Sequence, residues 1–247
     1  MRAIGLRLEW LRLRLKELDE DKARFLRYTS HELKTPLAAL REGVALLEDG
    51  VAGPMTPDQR EIARILGHNT AVLQGQIEAL LRFNAAAFEA RRLVREKVDL
   101  RGLVHALVGE QRLQWQARQL SIEVEGEAPP VAVDADKLSA ALGNLLSNSI
   151  RFSPVGGTIF VTLSSQRGAV RIDLQDQGPG VAPADRTRIF EPFFRGEVQP
   201  EGAVRGTGIG LAIVREYVAA HGGRVELMPH APGKGAHFRI ELPHVQD

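Results

Sequence analysis

The sequence contains no cysteine, which excludes disulfides, thiol nucleophiles and cysteine-ligated metals together. That suits a reducing compartment. It lacks an excess of charge of either sign: a net charge of +1 gives no reason to expect nucleic-acid or bulk membrane binding. No apolar run approaches the roughly 20 residues needed to span a bilayer, and no signal peptide is visible. The GxxxxGK[ST] phosphate loop, the Rossmann glycine spacing, and the His-Arg-Asp and Asp-Phe-Gly tripeptides of serine/threonine kinases are all missing. No internal repeat or low-complexity tract is evident.

What is present is 247 residues, 44% hydrophobic and 26% charged, a composition that suits about two soluble domains. Ile4, Leu8, Leu11, Leu15 and Leu18 repeat at steps of four and three, a heptad seam that pairs with another helix. The period resumes at Phe25 and continues through Leu33, Leu37, Leu40, Val44 and Leu47. The first helix starts with no cap sequence ahead of it, as a fragment of a longer membrane protein would. It should stop at the breaker cluster Asp49 to Pro54. Thr56, Pro57 and Gln59 read as N-cap, first helical residue and capping-box partner. A second helix follows through Ile62, Ile65, Val72, Leu80 and Phe83. Two helices alone bury little, so the hairpin is expected to dimerise into a four-helix bundle. The alternative is a hairpin packed only on its own second domain.

A polar segment, 89–97, reads as a linker. Beyond it helices and strands mix. Leu103 to Val108 and Asp136 to Phe152 read as helices, and Leu120, Ile122 and Val124 alternate as a strand. Two strands, Ile159–Leu163 and Val170–Leu174, are joined by a turn at Gln166–Gly168. Leu211 to Ala220 forms a helix stopped by Gly222 and Gly223, before a closing strand Phe238–Leu242. Closely paired strands predict an antiparallel or mixed sheet with helices on one face.

Three places carry chemistry. At 100° per residue, Phe25, Thr29, Leu33, Leu37, Leu40 and Val44 share one stripe, and His31 falls almost opposite, with Glu32 adjacent and Thr35 on its own face. A carboxylate accepting from one ring nitrogen makes the other more nucleophilic. Taken alone, an outward histidine is more often a solvated surface residue. Pro36 cannot donate to the carbonyl of Glu32, so the helix should kink or loosen there. In the helix 136–152, Asn144, Asn148 and Arg151 form a polar stripe beside the apolar Leu138, Ala141, Leu142, Leu145 and Phe152. Paired amide oxygens suit Mg²⁺ shared with phosphates, and a guanidinium suits the same polyphosphate; a plain polar helix flank fits equally well. Asp176 inherits the inward parity of Val170, Ile172 and Leu174, and a carboxylate there needs a donor, which adenine's amine could be. Gly178 and Gly180 follow, allowing close backbone approach. Asp176 could instead cap its own turn. An aromatic run, Ile189 to Arg195, precedes a loop 196–205. Gly206, Thr207, Gly208, Gly210 and Leu211 then open a helix whose amides could face a phosphate.

Together these segments resemble the sensor histidine kinases of two-component systems. SHELKTPL from Ser30 resembles the phosphoacceptor box, NLLSNSIRFSP from Asn144 the N box, DQGPGV from Asp176 the G1 box, EPFFRG from Glu191 the F box, and GTGIGLAIV from Gly206 the G2 box. The resemblance implies an α+β chain: a two-helix hairpin dimerising into a four-helix bundle, then a Bergerat (GHKL) α/β sandwich shared with gyrase and MutL. It implies three segments: a signalling coiled coil 1–24, a dimerisation and phosphotransfer domain 25–90, and a catalytic ATP-binding domain 95–247. His31 would attack the γ-phosphate of ATP through its distal ring nitrogen, with Glu32 as base partner. Thr35 would position water for dephosphorylating a response regulator. Asn148 would hold Mg²⁺ with Asn144 beside it, and Asp176 would recognise adenine. Arg151, Phe152, Gly178, Gly180, Arg195, Gly206, Thr207, Gly208, Gly210 and Leu211 would complete the nucleotide site. Arg151 stands where lysine is usual and Ser149 where alanine is usual. Implied partners are a second copy and a response-regulator receiver domain. Any membrane link would run through an N-terminal sensor region, making this the cytoplasmic part of an inner-membrane protein. His68, His105, His221, His230, His237 and His244 match no box and read as structural or surface residues. Two rivals stand beside this reading: a gyrase-type ATPase without phosphohistidine, and an inactive dimeric scaffold.

Overall fold

The computed structural model describes residues 10, 14, 29, 32–166, 168–199, 206–229 and 235–244. The heptad seam Ile4, Leu8, Leu11, Leu15 and Leu18 and the histidine His31 lie outside them. The chain divides into two compact units, Met1–Phe88 and Glu89–Asp247.

In the first unit, helix α1 is described over 32–48 and runs through Pro36 without a break in its helical assignment. It ends in turns at 49–52, where Gly50 and Gly53 take positive φ. Helix α2, Pro57–Glu89, opens on the expected capping box. The Thr56 N–H donates to Gln59 Oε1 at 2.9 Å, and the Gln59 N–H donates to Thr56 Oγ1 at 3.2 Å. Two of the four orphan donors at a helix start are thereby satisfied. Small residues of α2 let the helices approach: a Cβ on Gly67 would lie 3.2 Å from Val44 Cγ1, and Ala63 and Ala79 are buried. The predicted apolar stripe is covered only in part. Leu37 and Val44 are buried, whereas Leu33, Leu40, Leu47, Ile62, Ile65, Val72 and Leu80 are exposed.

The second unit holds β1 (Glu96–Val98), α3 (Leu100–Glu110), α4 (Arg112–Ala117), β2 (Ser121–Gly126), β3 (Val131–Val133), α5 (Ala135–Phe152), β4 (Thr158–Gln166), β5 (Ala169–Gln175), α6 (Gly210–Ala220), β6 (Arg224–Leu227) and β7 (His237–Pro243). The main sheet runs β2-β4-β5-β7-β6, with β2 parallel to β4 and all other neighbours antiparallel, so it is mixed. Alternation along the strands sends Ile159, Val161, Leu163, Val170, Ile172, Leu174, Phe238, Ile240 and Leu242 into the core. Each such side chain contributes roughly 2 kcal/mol of burial. The polar positions between them form cross-strand ion pairs, Arg171 with Glu241 and Arg239 with Asp173, each at 2.8 Å.

Helix α5 packs against α6, α3 and β5. Its buried arc is therefore wider than the single predicted stripe: Leu146 and Ile150 are buried as well, while Phe152 is half-buried. Its N-cap is Asp134, whose side chain accepts from the Lys137 N–H at 3.1 Å and the Val94 N–H at 2.9 Å. Burial opposes that carboxyl's charge, but the Val94 and Lys137 N–H groups outweigh it and hold its pKa below the ordinary aspartate value of 3.8. The Asp134 N–H in turn donates to His221 Nε2 at 2.9 Å. A backbone N–H can only donate, so His221 is the neutral tautomer that donates from Nδ1 to the Tyr217 carbonyl at 2.7 Å. His221 is thus a fully satisfied core histidine. The stretch read as a linker is in part structured: Glu96 and Lys97 belong to β1, and Arg95 reaches the Ala220 carbonyl at 3.3 Å.

Asp134→Ala removes both the cap of α5 and the acceptor for Val94. It should destabilise the second unit by about 2 kcal/mol at neutral pH, read from urea unfolding. Because the folded-state pKa is depressed, this contribution is complete above the ordinary carboxyl range and is lost as pH falls through the folded value. The gap between the variant and wild type should therefore narrow in acid.

Candidate functional site

The parity of β5 delivers Asp176 inward: the carboxylate follows Val170, Ile172 and Leu174 and is only 3% exposed. A buried carboxylate persists only where donors surround it. Oδ1 accepts the N–H of Gly178 and the N–H of Ala236, each at 2.9 Å, and Oδ2 accepts the Ser149 hydroxyl at 3.2 Å. The Asp176 N–H donates to the Ala236 carbonyl at 3.0 Å. Three separate stretches of chain therefore meet on one side chain. Two glycines permit this. A Cβ on Gly178 would sit 2.7 Å from the Phe152 carbonyl oxygen, and one on Gly235, at φ +87°, would sit 1.8 Å from the Asp176 carbonyl oxygen.

Along α5, Asn144, Asn148 and Arg151 are all half-buried. Asn144 donates its amide to the Ala140 carbonyl at 2.7 Å, which leaves Oδ1 turned toward Gly210, 3.1 Å from where a Cβ would be. The Arg151 guanidinium lies 5.4 Å over the Phe152 ring. Its Nε is buried and makes no hydrogen bond among the described residues. Burial and then the neighbouring Arg195 charge push the Arg151 pKa down. Two guanidiniums that oppose each other beside an orphaned donor form a place suited to a polyanion. Gly206 lies against it, since a Cβ there would be 2.1 Å from Arg151 Nη1.

The aromatic run and the glycine turn dock backbone to backbone. The Phe193 N–H donates to the Gly208 carbonyl at 2.9 Å. Phe193 has φ +66° and Gly208 φ +74°, a left-handed conformation that is costly for phenylalanine. Arg188 stacks 4.5 Å over the Phe194 ring, and Asp185 accepts the Glu197 N–H at 3.1 Å. Helix α6 then starts at Gly210, and its N-cap residue Ile209 supplies no side-chain cap for the first N–H groups.

The fold thus gathers Asn144, Asn148, Arg151 and Phe152 on one helix, Asp176, Gly178 and Gly180 at one strand end, and Gly206, Thr207, Gly208, Gly210 and Leu211 at the start of α6. Arg195 is exposed beside them. Ser149, Gly235, Ala236 and Asp185 join this site without having been singled out by spacing. The Gly233-Lys234-Gly235 run before β7 was a usable signal for one of them. In the first unit Glu32 and Thr35 are exposed on α1. His31 lies outside the described residues. Residues 200–205 of the loop 196–205 do so too.

Two domain families match. Residues 21–86 match the His Kinase A (phospho-acceptor) domain, and residues 133–246 match the histidine kinase-, DNA gyrase B- and HSP90-like ATPase. The chain belongs to the sensor histidine kinase family. It is 38% identical over 243 residues to the sensor histidine kinase GlrK of Escherichia coli K12, covering 98% of this chain and 51% of that protein. It spans about half the length of the curated relatives it matches. Among solved structures it is similar to full-length ShkA in complex with AMPPNP, at TM-score 0.64 and 31% identity over 88% of this chain and 45% of that one. It is also similar to the mycobacterial sensor histidine kinase MprB, at TM-score 0.54 and 33% identity over 60% of this chain and 97% of that one.

The two glycines separate stability from site geometry. Gly235→Ala meets backbone atoms at a positive φ and should cost about 3 kcal/mol or more. Gly206→Ala meets only the far end of a flexible arginine and should cost less than about 1 kcal/mol. Parallel unfolding curves of the two variants check the contrast.

Proposed function

We propose that this chain is the kinase core of a two-component sensor, in which the second unit holds Mg-ATP and His31 of the first unit takes its γ-phosphoryl group. The observation that carries the reading is the buried Asp176, set into a cradle of glycines beside the Arg151 and Arg195 charges. Such a carboxylate selects an exocyclic amine, and the paired guanidiniums answer a triphosphate. Asn144 and Asn148 supply amide oxygens, the hard ligands Mg²⁺ prefers. Among the described residues no group of three His, Asp or Glu could hold a metal, so the ion would arrive with the phosphates. The buried Arg151 Nε, which finds no partner in the described protein, fits the same ligand.

His31 would form a P–N bond as the bond from the γ-phosphorus to the bridging oxygen breaks, ADP leaving with the electron pair. Glu32 would accept a hydrogen bond from the other ring nitrogen. Most of the rate would come from alignment and charge neutralisation rather than from covalent chemistry. The phosphoryl group would pass to an aspartate of a response-regulator receiver domain, and Thr35 would orient a water that hydrolyses that aspartyl phosphate, releasing inorganic phosphate. The reading keeps the segments 1–24, 25–90 and 95–247 as signalling helix, dimerisation domain and catalytic domain. Exposed Ile62, Ile65, Leu66 and Leu73 on α2, with Leu33 and Leu40 on α1, supply the apolar face for a second copy. Among the described residues no helix is long and apolar enough to cross a membrane. The proposed location is the cytoplasmic side of an inner-membrane sensor.

Incubation with Mg²⁺ and γ-labelled ATP should give acid-labile, base-stable label in wild type and none in His31→Gln. Free phosphate without protein label would support a gyrase-type ATPase instead, and neither product would leave an inactive scaffold.

A further inference from the structure

We propose that Ser149 is a positioning residue for base selection: its hydroxyl orients the second oxygen of Asp176 and so sharpens the choice of purines that carry an exocyclic amine. The inference rests on the reading of Asp176 as the group that meets the base. Ser149 is fully buried on α5, at 0% exposure. Serine and threonine hydroxyls inside helices commonly turn back to the carbonyl four residues earlier. Thr70 does so with Leu66 at 2.8 Å, and Ser153 does so with Ser149 at 2.7 Å. The Ser149 hydroxyl instead leaves its helix and donates across to Asp176 Oδ2 at 3.2 Å.

The consequence follows from the geometry of a carboxylate. Two backbone N–H groups, from Gly178 and Ala236, hold Oδ1. The terminal torsion of an aspartate is broad, so fixing one oxygen still lets the second swing. The Ser149 hydroxyl restricts that swing. An amine on a purine ring donates in the plane of the ring, and the bond weakens steeply when the acceptor leaves the donor axis. Fixing Oδ2 therefore favours the amine without touching the sugar or phosphates. Alanine, the usual residue at this position in the resemblance drawn above, could not do this.

The test compares equilibrium affinities of the full chain for ATP and for purine riboside 5′-triphosphate, which lacks the amine, in excess Mg²⁺. Wild type should prefer ATP. Ser149→Ala should narrow the preference about fivefold, the size of one modest hydrogen bond, through weaker ATP binding alone. An unchanged preference, or an equal fall in both affinities, would overturn the role given to Ser149. Asp176→Asn, measured alongside, should abolish the preference. If it keeps the wild-type preference, the reading of Asp176 fails first and takes this inference with it.

Discussion

The second unit depends on holding one carboxylate where water barely reaches it. Asp176 sits at the end of a strand whose inward parity would ordinarily deliver an apolar residue. Its burial is tolerable because helix α5, the turn after β5 and the start of β7 each aim a donor at it. Those donors reach it only because Gly178 and Gly235 have no side chain to intervene. The arrangement ties the sheet, the helical layer and the glycine turn to a single point. An apolar residue would pack there at lower cost, so the carboxylate is not there for stability alone.

A second tension lies a few residues along α5. Arg151 is partly desolvated, opposed by Arg195, and has a buried Nε without a partner among the described residues. Left alone, such a cluster is unfavourable; an anion with several oxygens relieves all three conditions together. The far ends of α5 and α6 are quiet by contrast. There His221, Asp134 and Val94 satisfy one another, and Lys137 donates to Glu89 at 2.6 Å. The Tyr217 hydroxyl also donates to Glu89, and burial followed by the nearby carboxylate pushes its pKa up. The unit is thus rigidly satisfied at one end of its helices and under electrostatic strain at the other, where a ligand would bind.

Much of this was legible in the sequence because it is written in period and parity. The alternation through Leu174 foretold that Asp176 points inward, and the Thr56–Gln59 spacing foretold the cap of α2. Short elements were not legible. β1 and β3 have three residues each and β6 has four, too few for a period to emerge, and their pairing is decided by partners distant in sequence. Burial of Leu146 and Ile150 was missed because one stripe was assumed for a helix that packs on three elements. Of the partners of Asp176 only the Gly178 N–H, the cap of its own turn, could be read: a backbone N–H at Ala236 leaves no mark on the sequence. The Ser149 bond crosses 27 positions, and serine in a helix ordinarily bonds to its own turn.

The most direct measurement is a crystal structure of the chain with Mg²⁺ and a non-hydrolysable ATP analogue. The account predicts the adenine amine within hydrogen-bond distance of the Asp176 carboxylate and the phosphates between Arg151 and the first turn of α6. A nucleotide bound elsewhere, or a base that turns its amine away from Asp176, would contradict it.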